Sequence, residues 1–452
     1  MAREVVTAAA DRAELRDRLL RVLGGVPATP SPSQSQMLAA AAAKDGLSPH
    51  VDLVSARITG PVDVPALRAA LDALVARHEM LRTHFVFSPS PLMVIRPPER
   101  ARLTAEPISG LADAAARAGA LMATPVDVRS TAPHHALLLS VDERTHVLLA
   151  PLPHLRCDEV SHAVYLRDLA ARYAGEPLPP PGNYRDHAQA QGAALADGVA
   201  VARRAAALAP PLPAMTWPRT PERRRYRQLT VADTWERTWL ADVTRRLAAR
   251  GVTFGIACAA AYVAALHGVT GAEDVRVGTS MANRGPAHTG TIGLFATQSV
   301  LRVRATGTVG DVLTRTRAAM LGAIDDAHVP LAPVLGALRA ADPAFRSSSL
   351  YEATLAVVNQ GTEIPAGAET TFEPVDGFDV ADRPKPAFVP AHLAVRRGTA
   401  DRDTEVRFGY NSDLLTKDDA TGVLAAMARY LRAAADDPGR RLATVAGVVR
   451  HG

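Results

Sequence analysis

His154 and Asp158 form the arrangement with the clearest chemical potential, a histidine followed by an aspartate in the pattern H-x-x-x-D. A neutral imidazole can accept a proton from an attacking amine or alcohol near pH 7. The carboxylate can hold the surrounding loop or cap the following helix, for which Ser161 is a second candidate. A chance pair or a pair on a helix surface has the same spacing, so the pattern needs support from the rest of the chain.

The other histidines and the cysteine near this pair have simpler explanations. His134 and His135 do not form a second copy of the pattern, because Leu139 stands where the aspartate would be. His162 is interpreted as an ordinary residue of the helix that follows. Cys157 has no second histidine placed beside it, so we expect a packed thiol rather than a nucleophile.

The composition of the 452-residue chain restricts the classes of function. Aromatic residues make up 4%, too few for a nucleic-acid-binding protein that stacks bases, and the net charge of +5 permits acidic partners without requiring them. Two cysteines, Cys157 and Cys258, cannot form a disulfide framework, which favours a cytoplasmic location. Phosphate-binding glycine loops, zinc-type Cys/His spacings and the G-x-S-x-G elbow are absent from the sequence, so we expect no metal and no nucleotide chemistry.

The elements around His154 are predicted as a hairpin followed by a helix. The apolar runs Ala136–Val141 and Thr145–Ala150 are separated by a polar turn, and the second run continues towards His154. A helix is predicted from about Val160 to Ala174. This order places His154 at the junction of a strand end and a helix start, where its ring can reach a cleft.

Strand and helix patterns alternate through the rest of the chain, which indicates layered α/β structure. The first half is predicted to contain a helix over residues 3–24, a linker at Pro27–Pro32, a strand at Val51–Gly60 and a helix at Pro65–His78. The strands predicted in the second half are Leu229–Trp235, Val275–Thr279, Glu352–Val358 and Glu405–Tyr410. Its predicted helices are Trp239–Arg250, Val309–Ala327 and Lys417–Ala435.

Two further stretches bear on the organisation of the chain. The longest uncharged stretch, Gly251–Ala272, is rich in alanine and includes His267, so it predicts a buried helix rather than a membrane span. The proline-rich stretch Pro177–Pro221, with one alanine-rich helix inside it, predicts a connector between two halves.

Six short elements in a fixed order resemble a known family. They are Ser31 to Gln34, Arg77 to Phe85, Pro153 to Glu159, Asn183 to His187, Ile292 to Phe295 and Tyr410 to Leu414. The second matches R-H-x-x-L-R-T-x-F almost throughout, and the fifth matches I-G-x-F. Together they resemble the condensation domain family of nonribosomal peptide synthetases, within the chloramphenicol-acetyltransferase-like superfamily. The resemblance covers residues 28–445. Six elements in a fixed order identify a family more specifically than any single element does.

The resemblance implies roles for the residues of the central motif. The family's motif is H-H-x-x-x-D-G, and here Pro153 and Glu159 replace its first histidine and its glycine. His154 corresponds to the histidine of catalytic importance, and Asp158 is implied to be structural and to pair with Arg284. Proline offers no side-chain donor or acceptor, and a glutamate adds a charge, so both substitutions weaken the match to ordinary peptide condensation while leaving the base in place.

The fold implied by the resemblance is α/β, with two chloramphenicol-acetyltransferase-like lobes arranged in a V and a tunnel at their junction. Residues 1–27 are expected to form an N-terminal helix and linker, 28–182 the N-terminal lobe, 183–225 the connector and 226–452 the C-terminal lobe. The candidates for lining the tunnel are Pro153, Glu159, Ser161, Asn359 and Gln360. Asn359 also fits a turn before Gly361.

The function implied is that of a free-standing condensation enzyme in secondary-metabolite biosynthesis. It would move an aminoacyl or acyl group from the phosphopantetheine thioester of a carrier protein to an acceptor amine, with His154 as general base and backbone N–H groups stabilising the oxyanion. No cofactor of its own, nucleic acid or membrane is expected. Two alternatives stay open: a non-catalytic module that recruits a partner enzyme to a carrier protein, and an ester-forming enzyme with an alcohol acceptor.

Overall fold

The computed structural model of the protein describes residues 24–48, 50–87, 91–130, 133–220, 227–343, 345, 349–359, 364–375, 385–386, 389–399 and 401–447. The helix predicted over residues 3–24 falls almost wholly outside these ranges, and Gln360 is also outside them. Among the described residues, no helix combines the length and the apolar character needed to cross a lipid bilayer.

Strands and helices alternate along the described chain. The strands are β1 (Val26–Ala28), β2 (Leu47–Ser48), β3 (Val51–Thr59), β4 (Thr83–Val86), β5 (Leu92–Ile95), β6 (Arg102–Pro107), β7 (Val126–Asp127), β8 (His135–Ser140), β9 (Thr145–Pro153), β10 (Arg227–Trp235), β11 (Asp274–Met281), β12 (Thr297–Arg304), β13 (Ala353–Asn359), β14 (Ile364–Pro365), β15 (Thr371–Pro374), β16 (Lys385–Pro386), β17 (Ala391–Arg397) and β18 (Thr404–Asn411). The α-helices are α1 (Pro32–Ala42), α2 (Val64–Arg77), α3 (Leu111–Ala123), α4 (Glu159–Tyr173), α5 (Tyr184–Ala194), α6 (Val199–Ala207), α7 (Arg237–Ala248), α8 (Phe254–Thr270), α9 (Val309–Asp325), α10 (Leu331–Ala341), α11 (Lys417–Asp436) and α12 (Ala443–Ala446). Short 3₁₀ turns lie at Glu79–Arg82, His154–Arg156 and Pro286–His288.

The chain divides into two compact α/β units, which confirms the predicted fold class. Unit 1 comprises Met1–Ala196, Arg284–Ala296 and Gly361–Val380, and unit 2 comprises Asp197–Asn283, Thr297–Gln360 and Ala381–Gly452. The contiguous boundaries predicted at residues 28, 183 and 226 stay predictions. Each compact unit contains segments that are distant in sequence; β15, for example, comes late in the chain and yet pairs with β3 of unit 1.

Unit 1 is built on a six-stranded sheet in the order β14-β15-β3-β9-β8-β6. Successive side chains of a strand point to opposite faces, so each face of the sheet has its own helices. On one face Val54, Ala56 and Ile58 of β3 belong to the core that contains residues of α2 and α4. On the other face Leu53 belongs to a smaller core that contains residues of α3, among them Ala114.

Unit 2 is built on a seven-stranded sheet in the order β12-β11-β13-β17-β18-β10-β16. Its core contains α8, nearly every residue of which is buried. Thr253 caps the start of α8, and Gly271 ends it with a left-handed backbone conformation. The prediction that the uncharged stretch Gly251–Ala272 is a buried helix is therefore confirmed.

Most of the predicted elements lie within about two residues of the observed ones, but the linker predicted at Pro27–Pro32 is wrong. Val26–Ala28 forms a strand with β5, and Ser31 caps α1 in a reciprocal pair of hydrogen bonds with Gln34. Proline at the first position of a helix is favourable, because its missing N–H would have no partner there. Pro32 therefore begins a helix where the composition indicated a linker.

Candidate functional site

The pairing of β3 with β9 brings an aspartate to His154. Asp52 lies opposite Leu152 in this antiparallel pair, and the N–H of His154 donates to the carbonyl of His50 at 3.0 Å, which continues the pairing beyond the strand. Residues two apart on a strand share a face, so Asp52 and His154 are diagonal neighbours. Nδ1 of His154 lies 2.7 Å from Oδ2 of Asp52.

This contact shifts the pKa of both groups and fixes the tautomer of the neutral imidazole. Burial disfavours an ionised carboxylate, but the hydrogen bond from His154 and the proximity of His162 hold the pKa of Asp52 well below its usual value. A carboxylate can only accept, so Nδ1 of His154 donates, and in the neutral imidazole the lone pair lies on Nε2. Burial also lowers the pKa of His154, but the hydrogen bond and charge of Asp52, with the charge of Asp158, outweigh it and raise that pKa above its ordinary value.

Two further side chains approach the same carboxylate oxygen. Sγ of Cys157 lies 3.4 Å from Oδ2 of Asp52, and Nε2 of His162 lies 3.7 Å from it. These three potential metal-ligand atoms lie within 4.8 Å of one another, a juxtaposition that no spacing in the sequence indicated. Burial raises the pKa of Cys157 well above that of a free thiol, so Cys157 is a hydrogen-bond donor here, as its interpretation as a packed thiol requires.

Asp158 caps the helix that follows the motif. Its Oδ1 accepts from the N–H of Ser161 at 2.9 Å and from the Ser161 hydroxyl at 2.7 Å, while Oδ2 accepts from the N–H groups of Phe295 at 3.0 Å and Ala296 at 3.2 Å. Such an aspartate satisfies the exposed N–H groups of a helix start and complements the helix dipole. Both of its oxygens are thus engaged in holding the backbone.

The ion pair predicted between Asp158 and Arg284 is present. Nη2 of Arg284 lies 2.9 Å from Oδ1 of Asp158, and the two side chains are only 4% and 3% exposed. Arg284 also donates to the carbonyls of His288 and Thr291 and lies over the ring of Phe295 at 4.0 Å. This buried network joins the start of α4 to segment 284–296 within unit 1 and so fixes the loop that carries His154.

Several of the family-like elements meet in the same network. The Tyr184 hydroxyl contacts Ser31 Oγ at 3.0 Å and donates to the Leu294 carbonyl at 2.7 Å. The Ser161 hydroxyl contacts the backbone of Gly293. A Cβ at position 293 would come within 2.1 Å of a ring carbon of Tyr184, so the I-G-x-F element needs its glycine for this close approach.

The remaining candidates for lining a tunnel have different surroundings. Pro153 is buried at the end of β9, and Glu159 is exposed in the first turn of α4. Ser161 is buried, and its hydroxyl is bonded to Asp158 and the Gly293 backbone, so it supports the loop rather than lining an open space. Asn359 is exposed at the end of β13 in unit 2, and Gln360 lies outside the described residues.

Two other histidines of unit 1, His78 and His134, have structural partners. Nε2 of His78 lies 2.9 Å from Oδ2 of Asp168, and Nε2 of His134 lies 2.7 Å from the Tyr165 hydroxyl. All four side chains are buried. These contacts satisfy polar groups inside unit 1 and leave His154 as the partly exposed histidine of the motif, with 35% of its side chain accessible.

Asp52 is the site residue that the sequence interpretation missed. It lies on the face of β3 whose next members, Val54, Ala56 and Ile58, are buried in the core. A carboxylate in such a position requires a partner, and this mismatch was the available signal. The partner itself depends on the register with β9, which the sequence does not specify.

Comparison with known proteins identifies the family to which the chain is similar. The condensation domain model matches residues 28–448. Surfactin synthase subunit 1 of Bacillus subtilis (strain 168) is 28% identical over 397 residues, which cover 85% of this chain but only 11% of that protein. The chain thus spans about a tenth of the length of this relative.

Solved structures share the fold. The condensation domain from Monacolin K polyketide synthase MokA superposes with a TM-score of 0.78 at 18% identity, over 92% of this chain and 99% of that one. The X-domain in its complex with OxyB from teicoplanin biosynthesis superposes with a TM-score of 0.73 at 24% identity, over 94% and 97% of the two chains. With the family model matching nearly its whole length, the chain belongs to the condensation domain family.

Proposed function

We propose that this protein transfers an aminoacyl or acyl group from the phosphopantetheine thioester of a carrier protein to an acceptor amine in secondary-metabolite biosynthesis. The observation that carries the proposal is the pair His154–Asp52. It presents a partly exposed imidazole at the position of the motif histidine, with Nδ1 bonded to Asp52 and the lone pair of the neutral ring on Nε2. Such an imidazole is suited to accept a proton from a nucleophile near neutral pH.

The chemistry assigns one proton transfer to His154. As the amine nitrogen attacks the thioester carbonyl carbon, Nε2 of His154 accepts the amine proton and the C–N bond forms. The C–S bond then breaks, and the departing sulfur takes that proton from His154. The products are the amide and the free phosphopantetheine thiol, and the imidazole returns to its neutral state. Backbone N–H groups are expected to stabilise the oxyanion of the tetrahedral intermediate.

Asp158 and Arg284 support this chemistry without touching the reacting atoms. Their buried ion pair, with the hydrogen bonds to Ser161, Phe295 and Ala296, keeps the start of α4 in place. His154 lies one short turn before this cap, so its backbone position depends on the network. An alcohol acceptor would use the same base and give an ester instead of an amide.

A second candidate function is non-catalytic recruitment of a partner enzyme to a carrier protein. Two departures from the family motif favour it: proline at position 153 and an exposed glutamate at position 159. The X-domain named above was solved in complex with OxyB, so a related fold binds another protein. Retention of His154 with an ionised partner favours catalysis, because recruitment needs no oriented base.

The test is intact-protein mass spectrometry of a carrier protein loaded with an aminoacyl group, incubated with this protein and a panel of amines and alcohols. His154→Ala removes the base, and His135→Ala is the matched control. His135 is a partly exposed histidine of the same unit that is hydrogen-bonded to the Thr104 hydroxyl. Small-molecule mass spectrometry identifies the conjugate and distinguishes an amide from an ester.

Acyl transfer predicts loss of the acyl mass from the carrier only when an acceptor is present, with appearance of the conjugate. The His135→Ala protein should retain this activity, and the His154→Ala protein should lose it. Unchanged carrier that co-elutes with the protein, for every acceptor, would contradict catalysis and favour recruitment.

A further inference from the structure

We infer that Asp52 is a positioning residue for His154, which holds the imidazole by Nδ1 so that Nε2 meets the acceptor nucleophile. This inference rests on the proposed acyl transfer and deepens it. It assigns a second carboxylate to the site, outside the H-x-x-x-D motif and 102 residues away from His154 in sequence.

The motif aspartate cannot perform this role. Oδ1 of Asp158 accepts from Ser161 and Arg284, and Oδ2 accepts from the N–H groups of Phe295 and Ala296. With both oxygens engaged in the backbone network, Asp158 influences His154 only through its charge. The carboxylate that contacts the ring is Asp52, whose Oδ2 lies 2.7 Å from Nδ1 of His154.

The geometry around Asp52 favours a fixed orientation. β3 pairs with β9 over the whole length of both strands, so the backbone of Asp52 is held on a rigid element beside His154. Oδ2 of Asp52 also accepts from the Cys157 thiol at 3.4 Å, which restrains the carboxylate from a second side. A charged acceptor makes the hydrogen bond from Nδ1 stronger than a neutral acceptor would, and this fixes the tautomer that leaves the lone pair on Nε2.

A structural ion pair is the competing explanation, and the surroundings count against it. The other residues on this face of β3 are apolar and buried, so an apolar side chain at position 52 would extend the core without the cost of burying charge. Asp52 and His154 keep 25% and 35% of their side chains exposed, so the pair lies at the edge of that core and within reach of solvent. A base that accepts a proton from a nucleophile must be accessible in this way.

Removal of the Asp52 charge should change the titration of His154 in a defined direction. His50 before β3 and Asp158 at the cap of α4 act electrostatically on His154, while Cys157 and His162 contact the carboxylate of Asp52. Burial disfavours the imidazolium, and the hydrogen bond and charge of Asp52, with the charge of Asp158, oppose it. Without that carboxylate, the pKa of His154 should fall below its ordinary value.

The experiment compares Asp52→Asn and Asp52→Glu with Asp142→Asn as the matched control. Asp142 is an exposed aspartate in the turn between β8 and β9, at the end of β9 that is distant from His154. Its carboxylate accepts a hydrogen bond from the Arg144 N–H. Three readouts are needed: the thermal midpoint, the NMR titration of the His154 Cε1–H signal, and kcat and acceptor KM for transfer across pH. The His154→Ala protein assigns the NMR signal.

The expected result for Asp52→Asn is a lower pKa of His154 and a fall in kcat of about 10- to 100-fold, the effect of losing one charge-assisted hydrogen bond. The acceptor KM and the thermal midpoint should change little. Asp52→Glu should restore the pKa of His154 and part of kcat, while Asp142→Asn should match the wild type in every readout.

Two results would overturn the inference, and they are distinguishable. An unchanged His154 titration and unchanged kcat in Asp52→Asn would show that the carboxylate does not act on the ring, while transfer by the wild type still supports the proposed function. Absence of transfer by the wild type with every acceptor would refute the catalytic roles of both residues, even if the NMR titration showed that the pair exists.

Discussion

Replacement of Asp158 by alanine should lower the stability of the protein far more than replacement of His154 by alanine. The Asp158→Ala change deletes the acceptor for the N–H groups of Ser161, Phe295 and Ala296 and leaves the guanidinium of Arg284 buried without its carboxylate. Breaking a buried ion pair from one side costs about 3–5 kcal/mol, because the remaining charge is uncompensated. Loss of the helix cap belongs to the same perturbation and is not added separately.

This cost is large compared with the total stability of a domain, about 5–15 kcal/mol. For a domain of roughly 150–250 residues, each kcal/mol shifts the thermal midpoint by about 2–4 °C, so Asp158→Ala should lower it by about 6–20 °C. His154 is 35% exposed, so His154→Ala should change it by only a few degrees. Activity should be lost in both proteins, for different reasons.

The assay is urea unfolding followed by circular dichroism, with calorimetry for the midpoint. Glu106→Ala is the matched control: it breaks an ion pair of the same unit with Arg117, in which the two side chains are 31% and 54% exposed. Exposed pairs contribute about 0–1 kcal/mol. The double variant Asp158→Ala with Arg284→Met should recover part of the loss, because no charge is left buried. Equal losses in Asp158→Ala and Glu106→Ala would refute the supporting role of the buried pair.

Three further predictions concern the packing at Gly293, the buried charge of Arg156 and the titration of His154. Gly293→Ala should lower the free energy of unfolding in urea by about 1–3 kcal/mol, because the added Cβ would lie 2.1 Å from a ring carbon of Tyr184. Gly290→Ala should be tolerated, because the atom nearest to its added Cβ lies at 3.5 Å. Equal effects of the two changes would contradict the close packing at Gly293. Arg156→Met should raise the free energy of unfolding in urea by about 1 kcal/mol or more, because Arg156 is buried and its Nε has no hydrogen-bond partner among the described residues. A lower free energy of unfolding would show that the charge of Arg156 is compensated. Because only neutral His154 accepts a proton and its pKa is raised, kcat/KM should rise with pH to a midpoint above about 6.5; a midpoint below that value would contradict the influence of Asp52.

The sequence identified the parts of the site that lie close together along the chain. His154, Asp158 and the cap on α4 belong to one turn, so the motif alone indicated their neighbourhood. Arg284 was found through the resemblance, and its ion pair with Asp158 is confirmed by a distance of 2.9 Å. Most helices and strands were also found, because their apolar periodicity reflects burial on one face.

Features set by long-range pairing were not found. Asp52 reaches His154 only because Asp52 lies opposite Leu152, and a shift of one residue would turn its side chain to the other face. β15 joins the sheet of unit 1 from a position more than three hundred residues after β3 begins, which no local pattern announces. Ser161 was expected to line a tunnel, but its hydrogen bonds to Asp158 and Gly293 could be seen only after the loop was placed in three dimensions.

The most direct test of the central claim is the single-turnover rate of acyl loss from a loaded carrier protein, with saturating acceptor, for the wild type and His154→Ala. If His154 is the base, the variant should be slower by about 10²- to 10⁴-fold while its thermal midpoint stays within a few degrees of the wild type. Equal rates of acceptor-dependent transfer in the two proteins would contradict the account.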